Sequence, residues 1–141
     1  MSTDQRNTFL LAFAWLVAIV ATSGSLYFSE VRRFLPCELC WYQRILMYPL
    51  VVILGIANWY GDFAVRRYVL PLAVIGGTIS LTHYLTQKVE GFALFPCKPP
   101  VPCANEYVNY FGFVTIPFMA LTAFVLITLA MLLIRTRPHN R

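Results

Sequence analysis

The chain has 141 residues, of which 59% are hydrophobic and only 12% are charged, and its formal net charge is +5. A mean hydropathy of +0.65 is too apolar for a soluble domain of this size, so we predict an integral membrane protein. The basic residues are scattered at the ends of apolar segments and form no continuous stripe, which argues against nucleic-acid binding.

Four apolar segments are long enough to cross a membrane, because about 20 apolar residues in a helix span a hydrocarbon core of ~30 Å. We predict spans at residues 8–28, 41–60, 68–85 and 111–134. The first segment is too long for the core of a secretory signal and lacks a clear cleavage site, so we predict a true span. The predicted fold is an all-α integral membrane bundle of four transmembrane helices, forming a single domain over residues 1–141.

Four spans place both termini on one side of the membrane. Six Lys and Arg residues lie on the terminal side and four on the other, and this bias predicts cytoplasmic termini. These are Arg6, Arg66, Arg67, Arg135, Arg137 and Arg141 on the terminal side, and Arg32, Arg33, Lys88 and Lys98 on the other. All four cysteines then face outward, into the kind of compartment where disulfides persist.

A Cys-x-x-Cys pair, Cys37 and Cys40, stands at the entry to the second span. Free backbone amides and the helix dipole at a helix N-terminus lower the pKa of a thiol, so we expect Cys40 to be the thiolate-prone member. Arg44 lies one helical turn deeper, where its charge would stabilise that thiolate or a reduced acceptor beside it. The alternative for Arg44 is a side chain that extends to the lipid headgroups.

A second pair, Cys97 and Cys103, lies in a proline-rich loop between the third and fourth spans. A polyproline conformation would separate these residues by roughly 19 Å, whereas a disulfide needs Cα atoms about 4.4–6.8 Å apart. Either the loop turns back on itself, or one of its cysteines bonds elsewhere, with Cys37 as the candidate. His83, near the outer end of the third span, is a weaker candidate site residue, because an interfacial histidine can simply bond a carbonyl or a lipid phosphate.

Two structural alternatives compete with a redox role for the four cysteines. They could form a zinc site from Cys-x2-Cys and Cys-x5-Cys, or two inert disulfides that hold the outer loops. A zinc site would not explain an arginine at the depth of Arg44, and Cys-x-x-Cys bridges are strained and therefore usually reactive. We therefore predict no metal and two redox-active dithiols.

The sequence Cys-Glu-Leu-Cys-Trp-Tyr-Gln-Arg from Cys37 to Arg44, with four spans and a second outer cysteine pair, resembles the DsbB/BdbC family of disulfide-bond formation proteins. The resemblance covers essentially the whole chain, and the short second cysteine loop is similar to that of the BdbC branch. It implies a quinone-dependent oxidase of the bacterial cytoplasmic membrane. Such an enzyme regenerates an extracytoplasmic thioredoxin-fold thiol oxidase of the DsbA/BdbD kind.

The resemblance also implies an order of electron transfer. Cys97 resembles the cysteine that the partner attacks, Cys103 the one that then attacks Cys37, and Cys40 the thiolate that donates to quinone. A relay made of thiols alone would stall, because a DsbA-like partner at about −120 mV is already strongly oxidising. A quinone acceptor, ubiquinone or menaquinone, removes that difficulty.

Four further residues are predicted to bind the quinone. Arg44 matches the family's quinone-site arginine, His83 resembles a histidine near the quinone headgroup, and Trp41 and Tyr42 are expected to line a flat apolar pocket. Two other functions stay open. The chain could resemble a quinone reductase of the vitamin K epoxide reductase type, or it could be a structural membrane subunit with inert outer disulfides.

Overall fold

The computed structural model describes residues 2–89, 91 and 115–136, and these residues are helical apart from short turns and ends. The four long helices are α1 (Thr3–Leu26), α2 (Glu38–Tyr60), α3 (Arg66–Lys88) and α4 (Ile116–Leu133). A π-helical turn at Tyr27–Val31 extends α1, and a 3₁₀ turn at Phe63–Val65 leads into α3. No strand occurs in these ranges, so the prediction of an all-α fold is confirmed.

All four helices are long and apolar enough to cross a membrane, as predicted. Three of them begin earlier than hydropathy suggested, including α3, which begins at Arg66. α1 begins at Thr3 because Ser2 and Gln5 form a reciprocal capping box, and α2 begins at Glu38 because Cys37 is its N-cap. α4 begins only at Ile116, and residues 111–114 of the predicted fourth span lie outside the described part of the chain.

The connection between α2 and α3 is a tight turn, which makes these helices antiparallel neighbours. Gly61 ends α2 with φ +66°, a left-handed conformation that glycine adopts without steric cost. The carboxylate of Asp62 then accepts a hydrogen bond from the Ala64 N–H at 3.0 Å and starts the 3₁₀ turn.

The middle of the bundle is packed tightly where α3 meets α4. Gly76 is buried, and a Cβ atom built on it would lie 2.3 Å from the ring of Phe124. The absence of a side chain at Gly76 therefore lets the aromatic ring, itself fully buried, seat against the backbone of α3. Close approach at small residues is the expected way to hold helices together in a membrane.

Where α1 begins and α4 ends, polar side chains bind the backbone of the residues that follow α4. Asn7, only 1% exposed, donates from Nδ2 to the Arg135 carbonyl at 2.7 Å and accepts from the Arg135 N–H at 3.2 Å. The Arg66 guanidinium donates to the Ile134 carbonyl. We call Asn7, Arg66, Ile134 and Arg135 the terminal clasp, which satisfies carbonyls that a helix C-terminus leaves unpaired.

Candidate functional site

The site is built on the N-terminus of α2, where the extended backbone of Cys37 (φ −79°, ψ 176°) caps the helix. The Cys37 carbonyl accepts the first helical hydrogen bond, from the Trp41 N–H at 3.1 Å. The Cys37 sulfur accepts a hydrogen bond from the Cys40 N–H at 3.4 Å. The spacing of three residues thus places Cys40 in the first turn, with its Sγ 3.1 Å from the Sγ of Cys37.

Two buried polar side chains complete the surroundings of the sulfurs. His83, on α3, has its Nε2 atom 3.6 Å from Cys37 Sγ. Its other ring nitrogen, Nδ1, lies 2.9 Å from Nε2 of Gln43 on α2. Cys37 and Gln43 are each 6% exposed and His83 is 1% exposed. We call Cys37, Cys40, Gln43 and His83 the thiol cluster.

Hydrogen bonds concentrate negative charge on Cys37. The Cys40 thiol donates to Cys37 Sγ, and this contact does most to lower the pKa of the Cys37 thiol, while burial opposes it and His83 adds to it. The net result is a pKa of about 4 for Cys37. The expectation that Cys40 is the thiolate-prone member is therefore wrong in this arrangement, because Cys37 occupies the capping position and receives the amide hydrogen bond.

The thiol cluster borders a cavity of about 640 Å³, which is lined by α1, α2, α4 and the segment that precedes α2. Most of its walls are apolar. They include Leu16, Val20 and Phe28 from the first helical segment, Phe34 and Leu35 before α2, and Met119, Ala123 and Leu126 from α4. On α2 the lining contains Cys40, Gln43 and Arg44, so the cavity borders one of the two sulfurs and a fixed positive charge.

Arg44 is held in the wall of this cavity by contacts on both sides. Its guanidinium donates to the Ser25 carbonyl of α1 at 3.2 Å, and it lies over the Trp41 ring, 5.3 Å from the ring centroid. The Ser25 hydroxyl is itself 3.1 Å from the Tyr48 hydroxyl, which also lines the cavity. These contacts orient the guanidinium inside the protein.

The structure brings together only some of the residues predicted for quinone binding. Cys40 and Arg44 line the cavity, but Trp41 and Tyr42 do not, and they expose 54% and 50% of their surfaces. His83 lies against Cys37 and is not among the residues that line the cavity. Cys97 and Cys103 lie outside the described residues, so the predicted second dithiol stays a prediction.

Sequence analysis missed Gln43 as a site residue. Its signal is a glutamine within an apolar span, three residues after Cys40, where a buried polar group needs a hydrogen-bond partner. The sequence could not show that this partner is His83, which lies 40 residues away on the next helix.

The described part of the chain contains one group of side chains able to hold a metal ion. The ligand atoms of Cys37, Cys40 and His83 lie within 4.8 Å of one another. The same closeness suits disulfide formation, since two sulfurs 3.1 Å apart need only a small rotation to reach the ~2.05 Å of an S–S bond. The predicted zinc alternative used four cysteines, whereas this group contains a histidine.

Comparison with known proteins supports the disulfide chemistry. Residues 5–134 match the family model described as disulfide bond formation protein DsbB. The chain belongs to the DsbB family. Disulfide bond formation protein C of Bacillus subtilis is 61% identical over 131 residues, which cover 92% of this chain and 94% of that protein.

Other relatives of this DsbB-family chain carry similar names. A probable disulfide formation protein C of Halalkalibacterium halodurans is 52% identical, covering 95% of this chain and 97% of its own length. A probable disulfide formation protein of Coxiella burnetii is 45% identical, covering 83% of this chain and 81% of its own length. No solved structure gives a significant match. The family resemblance is confirmed, and the chain is a multi-pass protein-disulfide oxidoreductase.

Proposed function

We propose that this DsbB-family protein oxidises a thioredoxin-fold thiol oxidase outside the cytoplasm and passes the electrons to a membrane quinone. The family membership supports the disulfide chemistry. The observation that supports a quinone as electron acceptor is the mostly apolar cavity, which borders Cys40 and Arg44 within membrane-spanning helices. An acceptor soluble in the bilayer can reach such a site, whereas an ionic one would pay for leaving water.

A quinone fits this cavity in size and chemistry. Its volume of about 640 Å³ lies within the ~300–1,000 Å³ of typical cofactor pockets. Arg44 can donate a hydrogen bond to a quinone carbonyl oxygen, and the walls from α1 and α4 suit an apolar ring and tail. When bound, a quinone supplies an acceptor for two electrons and two protons.

The protein's own residues arrange the sulfurs for oxidation. The Cys37 thiolate forms the S–S bond with Cys40, which stands one turn along the helix at 3.1 Å. Two electrons leave the pair of sulfurs as this bond forms. They leave through Cys40, because this residue borders the cavity. The fixed charge of Arg44 stabilises negative charge on the side of Cys40 that borders the cavity, where the walls are mostly apolar.

Electrons enter, in this proposal, through the second pair. The partner's thiolate attacks Cys97 in the Cys97–Cys103 disulfide, so Cys103 leaves as a thiolate. The Cys103 thiolate then attacks Cys37 in the Cys37–Cys40 disulfide, and Cys40 leaves as a thiolate. Each exchange forms one S–S bond and breaks another, and the electron pair moves from the partner to Cys40. We place the termini in the cytoplasm and the thiol cluster at the outer face of the bacterial cytoplasmic membrane, following the arginine bias.

The test uses the full chain in detergent, a reduced DsbA-like partner and a ubiquinone or menaquinone analogue. We expect partner oxidation and quinone reduction to proceed together. A partner variant that keeps only its attacking cysteine should be trapped as a mixed disulfide on Cys97 of the wild-type chain, because it has no second thiol to resolve the bond, whereas replacing Cys97 with Ala should abolish that adduct on a non-reducing gel. An adduct that maps to Cys37 or Cys40, or partner oxidation without quinone reduction, would overturn the proposed order.

A further inference from the structure

A chain of two contacts runs from Gln43 on α2, through His83 on α3, back to Cys37 at the start of α2. We propose that Gln43 is a positioning residue, which fixes the ring tautomer of His83 so that Nε2–H points at Cys37 and keeps the negative charge on Cys37. This inference rests on the proposed function and assigns the two sulfurs of that site different tasks.

The tautomer follows from burial and hydrogen bonding. His83 is 1% exposed, so its ring nitrogens depend on the protein for partners. The Gln43 amide N–H faces Nδ1 at 2.9 Å, and a nitrogen that accepts this bond carries no hydrogen. In a neutral imidazole the hydrogen then sits on Nε2, which is the atom 3.6 Å from Cys37 Sγ.

Cys37 Sγ consequently contacts three groups: the Cys40 thiol at 3.1 Å, the Cys40 N–H at 3.4 Å and the His83 ring at 3.6 Å. Among the described residues, the titratable groups that act on it are Cys40 on its own helix and His83 on α3. Arg44 turns to the Ser25 carbonyl on α1. The largest cause that lowers the pKa of Cys37 is the side-chain hydrogen bond with Cys40, and the hydrogen bond with His83 acts in the same direction.

The arrangement divides the work between the sulfurs. Cys37, buried against His83, holds the negative charge, and Cys40 borders the cavity. During oxidation the Cys37 thiolate bonds to Cys40 Sγ, and the Cys40 S–H bond breaks. Two electrons and that proton leave the sulfur pair, and an acceptor of the quinone class would receive them together with a second proton from solvent. A neutral Cys37 would be a far poorer nucleophile for this closure, because the thiolate is the reactive form.

The experiment measures thiolate absorbance near 240 nm against pH in a variant whose single thiol is Cys37. That background carries Cys40→Ser, which keeps a hydroxyl donor beside Cys37, together with Cys97→Ala and Cys103→Ala. Into it we introduce Gln43→Leu or Gln43→Met, either of which removes the amide. The matched control is Gln5→Leu, at the exposed capping box of α1.

We expect Gln43→Leu and Gln43→Met to raise the titration midpoint of Cys37 by about one pH unit, since a charge-assisted hydrogen bond is weakened. Gln5→Leu should leave the midpoint unchanged. Using both Gln43 variants keeps the test open if one of them fails to fold. An unchanged midpoint in a folded Gln43 variant overturns the inference, even if wild-type protein reduces quinone. Conversely, a raised midpoint alongside no quinone reduction by the wild type refutes only the proposed function.

Discussion

The two ends of this bundle use buried polar side chains in different ways. In the terminal clasp, Asn7 gives both its amide donor and its amide acceptor to the backbone of Arg135. In the thiol cluster, Gln43 meets the ring of His83, which in turn meets the sulfur of Cys37. The amide of Asn7 binds the backbone that follows a helix C-terminus, and the amide of Gln43 contacts the imidazole of His83.

The difference teaches how to separate structural from functional polar groups within a membrane. A buried amide that pairs with backbone atoms has satisfied the need created by a helix terminus. A buried amide that pairs with a titratable side chain sets which atom of that side chain carries the proton. Burial alone does not distinguish the cases, because Asn7 and Gln43 are both nearly inaccessible.

Replacing one arginine at each end should sharpen this comparison most. Arg44→Ala should slow quinone reduction by about 10²-fold, the scale for removing a fixed charge from a reacting centre, while thiol exchange with the partner continues. Arg44→Lys should recover only part of the rate. It keeps the positive charge, but its ammonium lacks the planar guanidinium that contacts both the Ser25 carbonyl and the Trp41 ring. Stopped-flow measurement of quinone absorbance gives the rate.

The matched variant is Arg66→Ala in the terminal clasp. It removes a donor to the Ile134 carbonyl and should lower the thermal midpoint of unfolding in detergent. Its rate of quinone reduction should equal that of the wild type. Equal rates for Arg44→Ala and wild type would mean that Arg44 only anchors the helix at the headgroups, and the contrast between the two ends would fail.

A smaller effect is expected between the two ends, at adjacent glycines of α3. Gly76→Ala should destabilise the fold by about 1–3 kcal/mol, as overpacking does, since the new Cβ would lie 2.3 Å from the Phe124 ring. Gly77→Ala meets only Phe124 Cβ, at 3.6 Å, and should be neutral or stabilising. Thermal unfolding of both variants checks this pair, and equal melting temperatures would contradict the packing of Phe124 on α3.

The sequence could predict what depends on local pattern. Hydropathy located four spans, and the Cys-x-x-Cys pair located the thiols. It could not predict which face of α2 turns inward, and so the aromatic side chains of Trp41 and Tyr42 were assigned to the pocket. Cys40, Gln43, Arg44 and Met47 follow helical spacing along one face, and these residues line the cavity.

Other features depend on contacts between distant segments. Residues of α1 and α4 supply much of the cavity wall, yet no motif in either helix marks them as a binding site. His83 was recognised as a site residue, but its contact with Cys37 arises only when α3 packs beside α2. The sequence predicted a thiolate on Cys40, whereas the structure favours one on Cys37. The difference arises from the packing of His83 against Cys37 and from the position of Cys37 as the N-cap of α2.

The central claim is that the thiol cluster passes two electrons to a quinone. The most direct measurement uses a Cys97→Ala, Cys103→Ala variant, reduced, freed of reductant and mixed anaerobically with a quinone analogue in a single turnover. We predict that one quinone is reduced for each Cys37–Cys40 disulfide formed, with the disulfide identified by peptide mass mapping. A dithiol that stays reduced in the presence of excess quinone would contradict the account.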